Sequence, residues 1–116
     1  MTSGSVVRGT ILLDEGSPSG EGATLHVILE EVSRADAPAR EVGRVDLAGG
    51  SLSSRAPLEF VLVAPTLDPK ARYEVRAHLD RRGSSAFSPG DQITMESHPV
   101  LTHGFPSEVQ LRLRRI

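Results

Sequence analysis

The sequence predicts an all-β fold: one domain, built as a two-sheet antiparallel sandwich of about seven strands. Three observations predict it. Apolar and polar residues alternate with a period of two in segment after segment, which is the signature of strands buried on one face. Eleven glycines and eight prolines punctuate the chain between those segments, as turns require. No stretch makes a convincing helix.

In chain order, the first strand is Val6 to Asp14, with Val7, Ile11 and Leu13 on one face. Gly9 is a thin spot among them, and glycine inside a strand marks a bulge or a close neighbour. Residues 15–22 form a glycine-rich loop, and Ala23 to Val32 is the strand around which the chain is organised. Its Leu25, Val27 and Leu29 point one way, and Thr24, His26 and Glu30 the other. It must stop near Val32 or Ser33, because the segment that follows is polar and Pro38 has no N–H for a ladder. Ser33 and Asp36 fit local turn hydrogen bonds there. Alternation resumes over Glu41–Leu47. After a second glycine and serine loop, Leu58–Ala64 is apolar on both faces, Leu58, Phe60, Leu62 and Ala64 against Val61 and Val63. Such a strand is central in its sheet or covered outside. Arg72–Asp80 alternates most cleanly, with Tyr73, Val75, Ala77 and Leu79 inward and His78 among the outward residues. Arg81–Ser85 is the next turn, Ala86–Ser88 a short extension, Gln92–Ser97 a weaker strand, and 98–106 irregular. Glu108–Arg115 closes the chain with Val109, Leu111 and Leu113 inward, which leaves its arginines on a solvated face. Residues 1–5 are expected to be a disordered leader to a domain covering 6–116.

Composition excludes several classes of function. A net charge of −2 and a pI near 6.1 give no electrostatic footprint for nucleic acid or an anionic membrane. No run approaches the roughly 20 apolar residues of a transmembrane helix. The chain has no cysteine, hence no disulfide, no thiolate zinc site and no thiol for a lipid anchor. No signal-peptide pattern lies near Met1.

No catalytic residues are expected. Ser33 lacks a nucleophile elbow, and Glu30 and Glu31 point to opposite faces of a strand. The four histidines, His26, His78, His98 and His103, match no zinc spacing and read as solvated, although His26 and His78 would meet if their strands were neighbours. No metal or cofactor is expected. The second apolar face of Ile28, Val61 and Val63 is the candidate binding surface, a docking patch for another chain if the strands adjoin. An alternative function is an enzyme, or a binder of a small ligand or metal, using a pocket near His98, His103 and Tyr73.

Three blocks carry a family resemblance: Leu29–Ala39 (LEEVSRADAPA), Tyr73–Ala77 (YEVRA) and Pro99–Leu113 (PVLTHGFPSEVQLRL). In order and spacing they resemble the signature blocks of the YbaY/YscW lipoprotein family, which includes the type III secretion pilotins. The resemblance covers nearly the whole chain from Val6. It implies a small extracytoplasmic β-sandwich without catalytic activity, tethered to the outer membrane of bacteria through a lipidated cysteine. It also implies a protein partner, an outer-membrane secretion component, since the YscW-like members are chaperones that help a secretin assemble. The anchoring cysteine has no counterpart here, and the segment Ser88–Ser97 departs from the family pattern. A periplasmic or outer-membrane location follows from the resemblance. A cytoplasmic one and the question of self-association stay open.

Overall fold

The structure, a computed structural model, describes residues 5–13, 23–32, 38–48, 58–64, 67–80 and 90–116. Eight strands run through them: β1 (Ser5–Leu12), β2 (Thr24–Glu31), β3 (Arg40–Ala48), β4 (Leu58–Ala64), β5 (Tyr73–Asp80), β6 (Gln92–Thr94), β7 (Pro99–Val100) and β8 (Glu108–Arg115). The described residues contain no helix. The expected loops 15–22 and 49–57, the Ser33–Asp36 turn, the Arg81–Ser85 turn, the Ala86–Ser88 extension and the leader 1–4 lie outside the described residues.

The strands form one hydrogen-bonded path, β3-β2-β5-β6-β8-β1-β4, in place of the expected pair of separate sheets. β8 makes the difference. It pairs antiparallel with β6 through Ile93↔Arg114 and parallel with β1 through Gly9↔Val109, so it joins two groups of strands that would otherwise face each other. The parallel pair also corrects the expectation of a purely antiparallel fold. At the two ends of the path, β3 and β4 approach closely: a Cβ built on Gly43 would stand 3.1 Å from the Val63 carbonyl oxygen. The sheet is therefore nearly closed and barrel-like, which leaves little free strand edge.

Segment 92–106 is more regular than its sequence suggests. β6 runs beside His78 and Leu79 and β7 beside Tyr73 and Glu74, so the two short strands together line β5. A backbone bond from Val75 N–H to the His98 carbonyl spans the gap between them. After β7 the chain turns through left-handed residues, with φ of 74° at Leu101, 56° at His103 and 84° at Gly104. The Thr102 hydroxyl donates to the Ala71 carbonyl at 2.6 Å and fastens that turn to the approach to β5. Such backbone angles are unusual for a non-glycine residue, which is why periodicity could not announce β7.

The alternation holds on the core side. Val7, Ile11 and Leu13, then Leu25, Val27 and Leu29, then Phe60, Leu62 and Ala64, then Tyr73, Val75, Ala77 and Leu79, and finally Leu111 and Leu113 are all buried in a single cluster. Gly9 faces the same cluster directly opposite Phe60. A Cβ at Gly9 would come within 2.7 Å of the Phe60 ring and closer still to the Val109 carbonyl oxygen. The missing side chain is what lets the Phe60 ring lie across β1 where β8 pairs with it.

On the outer side the expectation fails at one place. His78 and Asp80 occupy outward positions of β5, yet both are buried, as is Asp91 just before β6. Alternation reports which face a residue occupies; it does not report whether that face is covered.

Candidate functional site: the outer face of the barrel

Two features stand out on the outer surface. The first lies over β4, β1 and β8, where an open groove of about 500 Å³ is lined by the outward side chains Arg8, Thr10, Glu59, Val61, Glu108 and Gln110. Register explains the grouping. Arg8 stands between Val61 on one side and Glu108 on the other, and Thr10 between Glu59 and Gln110. One residue pair further along, Val6 faces Val63. Val61 is 48% exposed and Val63 63%, high values for valines on a sheet this well paired. The result is a short valine strip beside a groove holding two carboxylates and one guanidinium.

The structure does not bring Ile28 into this strip. β2 and β4 are not paired in the sheet, and Ile28 is buried on β2 between Arg44 of β3 and Arg76 of β5. Arg76 Nε donates to Glu30 at 3.0 Å, which holds its aliphatic stem beside Ile28. Val61 and Val63 are joined instead by Val6 of β1.

The second feature centres on His26 and His78, which the β2–β5 register places directly opposite each other with ring centroids 5.9 Å apart. The reading of these two as solvated is corrected: His78 is 3% exposed and the His26 side chain 12%. His26 Nδ1 lies 2.7 Å from Asp46 Oδ1, and its Nε2 lies 3.5 Å from Asp80 Oδ2. His78 Nε2 lies 2.8 Å from Asp91 Oδ2. Asp91 is set in place by the C-terminal residue, whose backbone N–H donates to the Asp91 carbonyl at 2.9 Å while its own carbonyl accepts from Gly90. Local spacing could not reveal this group; the His78-x-Asp80 pair was visible, but its partners depend on strand register.

Partial burial would raise the Asp46 carboxyl, but hydrogen bonds from His26 and Arg44 and the Arg44 charge outweigh it, so its pKa falls below the ordinary 3.8. The Arg44 guanidinium is raised, mainly by its hydrogen bond to Asp46, against the cost of burial. His26 Nδ1 also lies 2.9 Å from Arg44 Nη2, which only donates, so the tautomer decides whether Nδ1 donates to Asp46 or accepts from Arg44. A depressed folded-state pKa contributes stability above the unfolded value that is lost as pH falls through the folded one. Asp46→Asn is therefore expected to lower stability modestly at neutral pH, with the difference from the parent disappearing as pH falls below about 4. Because the Asp46 side chain is 48% exposed, the difference is expected to shrink in high salt, as chemical denaturation at two ionic strengths would show.

The residues of the alternative pocket are placed apart from both features. Tyr73 is buried with its hydroxyl accepting the Asp68 N–H at 3.0 Å, and His103 Nε2 stands 3.1 Å from the Lys70 carbonyl on an exposed turn. His98 is half-buried beside β7. None of the three lines the β4–β1–β8 groove.

A small barrel-like β domain with one apolar strip on its outer face defines the class. The family model described as type III secretion system lipoprotein chaperone (YscW) matches residues 3–113, and the chain belongs to that family. Among solved structures, the chain is similar to an alternative pilotin from the type II secretion system of Vibrio cholerae. The TM-score is 0.80 at 24% identity, covering 97% of this chain and 96% of that one. At that identity the likeness shows a shared fold. A comparison with curated proteins finds no match.

Proposed function

We propose that this chain is a pilotin-like chaperone of a bacterial secretion system, a non-enzymatic module that works in the periplasm at the outer membrane and binds a segment of a secretin. The observation that carries this reading is the lipoprotein-chaperone family match over residues 3–113. The shared fold with a type II secretion pilotin supports it. The binding surface in this reading is the valine strip of Val6, Val61 and Val63 together with the adjoining groove. The groove carries Glu59 and Glu108 against Arg8, so its complement is an amphipathic segment whose apolar side chains are flanked by a basic residue.

The test is a single exposed substitution. Val61→Asp is expected to weaken binding of the secretin from the same cell at least about tenfold by calorimetry, since charge is depleted at the buried centre of interfaces. Stability should change by no more than about 0.5 kcal/mol, because the side chain is exposed. An unchanged affinity in a folded Val61→Asp protein would contradict the proposed surface. Ile28→Asp is expected to unfold the domain whether or not a partner is present, because it buries a charge.

A further inference from the structure

The geometry points to a divalent metal site on the outer face of β5, formed by His78, Asp80 and Asp91 and suited to a zinc-like ion. One ligand atom each from His78, Asp80 and Asp91 lies within 4.8 Å of the other two, and all three residues are buried. His26 stands beside the group, its Nε2 3.5 Å from Asp80 Oδ2. Bonds of about 2.0–2.2 Å in a tetrahedron place ligand atoms roughly 3.4 Å apart, so small side-chain rotations close the set around an ion.

His78 Nε2 meets Asp91 Oδ2 at 2.8 Å, a contact in which the imidazole hydrogen can be replaced by a metal ion, with release of the proton. His26 Nδ1 lies 2.7 Å from Asp46 Oδ1 and 2.9 Å from Arg44 Nη2, contacts that hold the ring beside the cluster. Arg44, which donates to Asp46 at 3.1 Å, fixes that carboxylate in turn. One imidazole with two carboxylates suits Zn²⁺ and its transition-metal neighbours better than Ca²⁺ or Mg²⁺, which prefer oxygen alone. Three buried protein ligands tie β5 to the approach to β6 and leave the fourth coordination position to a water.

The test uses the whole chain stripped with EDTA, then titrated with ZnCl₂ by calorimetry and with CoCl₂ by visible absorption. One Zn²⁺ per chain is expected, with tetrahedral Co²⁺ bands, a rise in Tm on the order of 10 °C at saturating Zn²⁺, and no comparable response to Ca²⁺ or Mg²⁺. His78→Gln and Asp91→Asn should each weaken Zn²⁺ binding at least about tenfold, while His103→Ala leaves it unchanged. The Co²⁺ spectrum of the unaltered chain needs no variant, so it decides the matter even if a buried substitution unfolds the protein. Absence of stoichiometric Zn²⁺ binding, octahedral Co²⁺ bands, or folded His78→Gln and Asp91→Asn proteins that bind as the parent does would overturn the assignment. No secretion partner enters this test, so its outcome is independent of the proposed chaperone role.

Discussion

Leu79→Ala is expected to lower the unfolding free energy by about 3–5 kcal/mol, and Leu111→Ala by a similar amount. Leu79 is fully buried and Leu111 2% exposed. They belong to strands on different parts of the path, β5 and β8, that meet through the shared core. Truncation removes three heavy atoms from van der Waals contact and leaves a cavity that a nearly closed sheet cannot collapse to fill. For a domain of this size, total stability of about 5–15 kcal/mol makes each loss a large fraction of the whole, and Tm should fall by roughly 10–20 °C. Arg112→Ala, on the exposed face of β8, is the control and should stay within about 0.5 kcal/mol. Urea denaturation of the three variants checks the set.

Gly9→Ala is expected to destabilise by about 3 kcal/mol, although it adds a single methyl group. The added Cβ would meet the Phe60 ring at 2.7 Å and press on the Val109 carbonyl oxygen. A ring can tilt, but the carbonyl belongs to the β1–β8 pairing and cannot yield without opening that junction. Combining the change with Phe60→Leu should therefore recover only part of the loss. Full recovery in the double variant would show that the ring alone sets the constraint. Amide exchange along Thr10–Leu12 and Val109–Arg112 should quicken in Gly9→Ala before it does along β2 or β3, because the perturbation starts where β8 joins β1.

The strands were legible because burial on one face imposes a period of two, and Leu25, Val27 and Leu29 or Tyr73, Val75, Ala77 and Leu79 display it without interruption. Gly9 was legible as a close approach, though not what approached it. Closure was hidden, since alternation states which face a side chain occupies and nothing about which strand lies beside it. The parallel β8–β1 pair and the near contact of Gly43 with Val63 depend on that missing information. The same gap governed the site. Val61 and Val63 stood out as a second apolar face, but Ile28 was grouped with them when its actual neighbours are Arg44 and Arg76, and Val6 was passed over. His26 and His78 sit 52 positions apart, and only the β2–β5 register sets them face to face. Asp91 lies just before β6, a strand of three residues that carries little periodic signal.

The chain belongs to the lipoprotein-chaperone family, and the proposed function turns on whether its valine strip binds a secretin. A photo-crosslinking amino acid placed at Val63, and separately at Arg112 on the exposed face of β8, tests that most directly in cells that make both the chain and the secretin proposed as its partner. The account predicts a strong covalent adduct with the secretin from position 63 and little from position 112. Adducts of equal strength from both positions, or from position 112 alone, would contradict it.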